Sequence, residues 1–277
     1  IGHNKRLYAA IKSIDTSPLN AVQKKIITDS LRGFELSGVA LSAEAQKRFE
    51  TLQARLSELS NQFEQHILDA TQAFTIHLMD DTRIKGIPLH ALHTAKELAE
   101  EKGLSGYVFT LEYPSFQAIM TYAEDRDLRE QMYEAFVTRA SEQGPNAGQF
   151  DNTALMNEIL ALRQEKAALL GFNNYAELSV ATKMAESPQQ VMGFLNDLAE
   201  RAREQARNEF KQLEQFAADT YHISQVKPWD SAYLSEKRRQ ELYSLSQEDL
   251  RPYFPQPKVM AGLFAIIEKL YAVSLQE

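Results

Sequence analysis

Apolar positions recur at helical spacing along most of this chain. The most sustained run is Phe49, Leu52, Leu56, Leu59, Phe63 and Ile67, whose steps alternate between three and four residues. That period is close to a heptad seam and predicts one long helix. Ser42 is a good N-cap, and the pattern lasts to about Ala73, roughly 30 residues. A second seam joins Val191, Phe194, Leu198, Ala202, Gln205, Glu209, Leu213 and Phe216. It starts at Ser187-Pro188-Gln189-Gln190, where serine caps, proline fills the first turn, and Gln190 can reach back to the cap N–H. This helix is predicted to run to about Thr220.

Shorter helices fill most of the remainder. "NKRLYAAIKSI" predicts one that stops before "DTSP". Pro18 is placed in the first turn of the next, which reaches Gly38 as its C-cap. Pro114 opens helical sequence to about Ser141, and "EQGPNAGQFDN" reads as a loop. A helix from about Thr153 puts Leu155, Ile159, Leu162, Lys166 and Leu169 on one side and ends at Gly171. Trp229 lies in a turn that leads into "SAYLSEKRRQELYS". Ser246 to Asp249 is a capping-box candidate, and Val259 to Tyr271 forms the last helix.

The period changes in two places. "FTIHLM" (Phe74–Met79) and "YVFTLE" (Tyr107–Glu112) are rich in β-branched and aromatic residues and predict strands. Between them "PLHALHTAKELAEEKG" predicts a short helix with Pro88 in its first turn and Gly103 after its end. The expected fold is mostly α: a multi-helix body with two long helices and a small β element of two short strands over about 74–112. No repeat or linker divides it, so residues 1–277 are expected to form one continuous helical portion. Two strands alone make a marginal sheet.

Composition narrows the function classes. The chain has 277 residues, is 44% hydrophobic and contains no cysteine. It can bury a substantial core, and it has no thiol nucleophile, disulfide framework or cysteine-held metal. Net charge is −8 with no basic run, which argues against nucleic acid as a partner. No apolar run approaches about 18 residues, so no membrane span is expected. These features suit a cytoplasmic protein. The chain begins Ile1-Gly2-His3-Asn4 and ends "YAVSLQE" just after a helical pattern. Both ends look cut, and a piece of a longer protein is expected.

Candidate chemistry is sparse. His90 and His93, three apart on one helix, could share a face, but nothing at a matching spacing completes a three- or four-ligand zinc site. The simpler reading is two solvent-facing histidines. Gly103-Leu104-Ser105-Gly106 lacks the Lys and Ser/Thr of a phosphate loop and reads as a helix cap and turn. No Gly-x-Ser-x-Gly or His-Glu-x-x-His occurs. Glu236, Lys237, Arg238, Arg239 and Glu241 read as a solvated charged face. Trp229, Tyr233, Tyr243, Tyr253 and Phe254 could contact a ligand, though packing is the commoner role for such aromatics. No catalytic, cofactor-binding or metal-ligating residue is assigned within this chain.

Longer stretches carry more information. "EILALRQEKAALLGFNNYAELSVATKMAESPQQV" (Glu158–Val191), "TLEYPSFQAIMTYAEDRDLREQMYEAF" (Thr110–Phe136) and "RASEQGPNAGQFDN" (Arg139–Asn152) resemble the thimet oligopeptidase family of zinc metallopeptidases. "QARLSELSNQF" (Gln53–Phe63), "KPWDSAYLSEK" (Lys227–Lys237) and "EDLRPYFP" (Glu248–Pro255) follow the same pattern. The resemblance spans essentially the whole chain. It implies part of a mostly helical, two-lobed channel enzyme, a cytoplasmic zinc endopeptidase cutting short peptides. A dipeptidyl carboxypeptidase of the same family is one alternative, and a non-enzymatic helical scaffold binding peptide or protein is another. In that family the His-Glu-x-x-His helix and its glutamate ligand lie C-terminal to the position of Glu277. The resemblance therefore implies that these residues form channel wall, with no bound zinc and no peptidase activity of their own. Apolar helix faces left without partners would favour self-association.

Overall fold

A computed structural model describes residues 2–275. Ile1, Gln276 and Glu277, at the two ends discussed above, lie outside the described residues. The chain divides into two units, residues 1–70 with 138–206, and residues 71–137 with 207–277. As the sequence predicts, the described residues are mostly helical with one small β element.

In the first unit, α1 (Lys5–Lys12) and α2 (Ala21–Leu36) form a pair in which the Tyr8 and Phe34 rings lie 5.9 Å apart. Tyr8 donates its hydroxyl proton to Glu35 at 2.9 Å. Pro18 does not enter α2. Asn20 caps it instead, accepting the Gln23 N–H at 2.9 Å while the Gln23 side chain accepts the Asn20 N–H at 3.0 Å. That reciprocal box satisfies two otherwise orphaned donors, which a proline two residues earlier cannot do.

The long helix α3 (Ala43–Ala73) runs as predicted. Its seam buries Phe49, Leu52 and Leu59 fully, while Leu56, Phe63 and Ile67 are half-buried. Beside it lies α7 (Thr153–Leu169). Two bidentate pairs flank the contact, Arg48 to Glu165 at 2.5 and 2.7 Å and Arg55 to Glu158 at 2.6 and 2.8 Å. Lys166 reaches Gln53 at 2.9 Å and the Phe49 ring at 5.8 Å. Asn152, buried ahead of α7, accepts from His66 Nδ1 at 2.8 Å and donates to the Phe63 carbonyl.

Gly171, at φ +84°, ends α7, and the chain turns through Phe172 into α8 (Tyr175–Val180), capped by Asn174. The Arg163 guanidinium lies 5.1 Å from the centre of the Tyr175 ring. Then α9 (Pro188–Tyr221) begins with Ser187 accepting the Gln190 N–H. The Gln190 side chain bonds the Glu186 N–H and not the cap residue. Of the predicted α9 seam, Leu213 is buried and Val191 and Phe216 are half-buried. Phe194, Leu195 and Leu198 are exposed.

In the second unit, β1 (Thr75–Leu78) and β2 (Tyr107–Thr110) pair antiparallel, with Thr75 opposite Thr110 and His77 opposite Val108. Between them comes α4 (Leu89–Glu101), with Pro88 as N-cap. The turn into β2 needs glycine at Gly106, where φ is +88° and a Cβ would sit 2.3 Å from the Leu78 carbonyl oxygen. The predicted helix from Pro114 to Ser141 is instead two, α5 (Tyr113–Tyr122) and α6 (Arg126–Val137). The core joins Phe109 and Leu111 of the β2 region to Ile119, Met120, Leu128 and Met132.

The rest of this unit follows a 3₁₀ turn (Pro228–Asp230) with α10 (Ser231–Tyr243), α11 (Gln247–Leu250) and α12 (Gln256–Tyr271). Ser246 and Asp249 form the predicted capping box. Glu236 is not on a solvated face. It is buried, paired with Arg239, and accepts from Gln240 at 2.7 Å and Ser246 at 3.1 Å. No described helix is long and apolar enough to cross a membrane.

Candidate functional site

The polar centre of the second unit is built from α6 and the 3₁₀ turn. Arg126 and Arg129, three apart, share one face of α6. Arg126 grips the Asp230 carboxylate with Nε at 3.0 Å and Nη2 at 2.7 Å, and Arg129 Nη2 adds a contact at 3.0 Å. The Lys227 N–H donates to the same carboxylate at 3.0 Å. Arg129 is 1% exposed and Asp230 0%. The other Arg129 donors go to the carbonyls of Trp229, Ala123 and Glu124, and its guanidinium lies 4.1 Å from the Tyr233 ring centre.

Burial alone would raise the pKa of Asp230. The Arg126, Lys227 and Arg129 donors outweigh it and hold the carboxyl below its ordinary range. Tyr233, desolvated beside Tyr221, is pushed up to about 12. Asp125 shows the same balance: burial is outweighed by Arg83 at 2.5 Å and by the Leu128 N–H. With the Arg129 guanidinium spread over Asp230 and three carbonyls, this cluster is a lock that fixes the α5–α6 corner on the 3₁₀ turn and α10.

A groove of about 720 Å³ lies in the same unit. Its walls come from α4 (His90, Thr94, Glu97, Glu101), β2 (Val108, Thr110), α5 (Ser115, Gln117, Tyr122) and the α11 region (Glu248, Arg251). His90 bridges two walls. Arg251 approaches its Nε2 at 2.6 Å, and Glu248 lies 3.2 Å from its Nδ1. Arginine can only donate, so Nε2 accepts and Nδ1 carries the proton toward Glu248. Burial, then the Glu248 charge, raises the pKa of Tyr122 on the opposite wall. Glu97 faces His93 at 3.3 Å, while Glu101 and Glu112 have no ion-pair partner among the described residues. The groove is therefore net acidic.

These positions test the sequence candidates. His90 and His93 do not converge on a metal: His90 has both nitrogens engaged and His93 turns to Glu97. Among the described residues no three His, Cys, Asp or Glu groups come together as a metal site. His66 and His77 are bound to Asn152 and to the Ser105 carbonyl. The described residues thus do not fit a resident zinc ion. Gly103 and Gly106 serve the helix end and turn, both at positive φ. The proposed aromatic cluster separates: Tyr233 is buried and Trp229 packs on Tyr133, while Tyr243, Tyr253 and Phe254 are exposed. The sequence reading missed the lock and the groove. The i, i+3 pair Arg126/Arg129 and the i, i+4 pair Glu97/Glu101 were the available signals.

Comparison with known proteins adds what the geometry lacks. A family model described as peptidase family M3 matches residues 119–277. Over 281 aligned residues the chain is 49% identical to oligopeptidase A of Escherichia coli (strain K12), covering 100% of this chain and 41% of that protein. It is 34% identical to the probable cytosolic oligopeptidase A of Arabidopsis thaliana, over 99% of this chain and 40% of the relative. A dipeptidyl carboxypeptidase of Escherichia coli (strain K12) is 25% identical over 99% of this chain and 40% of its own length. The chain thus spans about two fifths of the length of these relatives. The family match covers more than half of the chain, and the oligopeptidase A similarity runs through both units and both long helices. The chain belongs to peptidase family M3.

Proposed function

We propose that this chain is the helical, non-catalytic portion, with a β insertion at about 74–112, of a zinc-dependent oligopeptidase that hydrolyses short peptides in the cytoplasm. The 49% identity to oligopeptidase A along the entire chain carries this reading. The described residues supply neither a metal-ligand set nor a nucleophile positioned by a base, so zinc would be held, and water activated, outside them. Their part is to form wall and to limit what reaches the reacting centre.

The test compares this chain with a longer protein that includes the downstream sequence. The longer protein, given zinc, is expected to cleave peptides of about 8–15 residues, while this chain binds no stoichiometric zinc and cleaves none. Cleavage inside the peptide supports an endopeptidase. Successive loss of C-terminal dipeptides supports the dipeptidyl carboxypeptidase reading. A longer protein inert toward all such peptides would leave the scaffold reading.

The chain by itself is also proposed to self-associate through α12. Val259, Leu263, Ile266 and Leu270 follow steps of four, three and four, and all are exposed. Sedimentation is expected to show concentration-dependent association that Leu263→Glu with Ile266→Glu abolishes. A monomer at all concentrations would refute it.

A further inference from the structure

One bond on the groove wall depends on a single proton. His90 Nε2 accepts from Arg251 Nη1 at 2.6 Å, and its Nδ1 faces Glu248 at 3.2 Å. Arginine only donates and keeps its charge in proteins, so this bond exists only while Nε2 is bare. A second proton on the ring would aim an N–H, and a like charge, at the guanidinium from hydrogen-bond distance. The other contact responds in the opposite sense, because the Nδ1–H bond toward Glu248 becomes charge-assisted. Imidazole is the side chain whose ordinary titration falls between about pH 5 and 8. The His90 side chain is 41% exposed, so solvent protons reach it.

Little apolar burial fastens the stretch that Arg251 carries. Arg251 opens a 3₁₀ turn (Arg251–Tyr253) directly after α11. Leu250, Tyr253 and Phe254 around it are exposed. Ser246 anchors the start of the segment by donating its hydroxyl to Glu236 at 3.1 Å. At the other end Arg251 is tied to His90 on α4. A segment held this lightly opens locally without unfolding the rest.

The charged and titratable groups on the surrounding elements leave this balance in place. On α4, His93 turns to Glu97, and Glu101 lies three helical turns further along. On α5, burial holds Tyr122 above its ordinary range, so it stays neutral, and Glu112 sits at the opposite end of that helix. On α10, Arg239 is paired with buried Glu236. Glu248 and Arg251 are the charges that touch the ring.

We propose that His90 is a proton-operated latch on the groove. Neutral, it ties the α11 segment to α4 through Arg251; protonated, it keeps Glu248, expels Arg251 and frees the 3₁₀ turn. Since His90, Glu248 and Arg251 all line the groove, acid widens it at this end. The latch is independent of peptide cleavage.

The test is an NMR titration of the 277-residue chain, isotopically labelled in histidine and arginine, from about pH 8 to about pH 5. At the upper end His90 is expected as the Nδ1–H tautomer with Nε2 unprotonated. Exchange of the Arg251 guanidinium protons, relative to an unbonded arginine, is expected to be slowed on the order of tenfold there. That protection is expected to disappear as His90 protonates. His90→Gln, whose amide oxygen can accept from Arg251 without titrating, is expected to keep it across the range. His93→Gln is expected to leave the response intact, because His93 is turned to Glu97. An Nε2–H tautomer at the upper end, or Arg251 protection unchanged through protonation of His90, overturns the proposal. The same loss in His90→Gln, or a response abolished by His93→Gln, overturns it too. The unmutated chain decides the matter even if the glutamine fails to reach Arg251.

Discussion

Asp230→Ala is expected to destabilise the second unit by about 3–5 kcal/mol, the usual cost of removing one partner of a buried ion pair. The loss exceeds that of an ordinary salt bridge because of what stays behind. Arg129 is 1% exposed and cannot deprotonate, so its charge remains buried without a counterion. Asp230→Asn keeps the shape and one carbonyl acceptor and is expected to cost less. Replacing Arg129 by methionine leaves Asp230 with Arg126 and should fall between the two, since Ala123 and Glu124 lose their donor as well. Thermal or urea unfolding measures the order, with the α5–α6 corner as the region that loosens first.

The same lock sets an acid limit. Asp230 has a folded-state pKa below its unfolded value of about 3.9. Its contribution is complete above that unfolded value and is lost as pH falls through the depressed folded one. Unfolding should therefore steepen below about pH 4, and Asp230→Asn should flatten that limb. Asp125, also held low, adds to the effect in the same direction.

Much of this architecture is legible in the sequence because it is local. The α3 seam keeps its period for six apolar positions, and Ser42, Ser187 and the Ser246–Asp249 box mark helix starts through side chains two or three residues away. What the sequence hides depends on distant partners. Nothing in "AIMTYAEDRDLRE" breaks helix propensity strongly. The chain breaks there because the Arg129 guanidinium takes the Ala123 and Glu124 carbonyls and the Lys85 carbonyl takes the Glu124 N–H. Glu236 sits in a charge run, yet Arg239, Gln240 and Ser246 bury it. On α9, periodicity marks an apolar stripe but does not say whether anything covers it, and Phe194 and Leu198 lie exposed. The groove leaves the weakest trace, since its walls come from α4, β2, α5 and the α11 region, which are distant in sequence. The peptidase family is legible for a different reason: ordered matches over a whole chain identify kinship even where no residue does chemistry.

In the first unit the largest effect is expected at Leu52, where Leu52→Ala should cost about 2–5 kcal/mol. Leu52 is 0% exposed on the α3 seam, between Phe49 and Leu59, both also buried. Truncation removes its apolar contacts and leaves a cavity that a long rigid helix cannot collapse to fill. The flanking ion pairs invite the opposite expectation, because Arg48–Glu165 and Arg55–Glu158 are bidentate and short. They are also substantially exposed, with side chains 37–49% accessible, so water and salt screen them. Glu158→Gln and Glu165→Gln together should shift the denaturant midpoint less than Leu52→Ala alone, and the small shift should vanish at high salt. If the double charge variant proved the more damaging, the two helices would be held by their charged flanks. The buried seam predicts the reverse, and a denaturant midpoint at two salt concentrations decides between them.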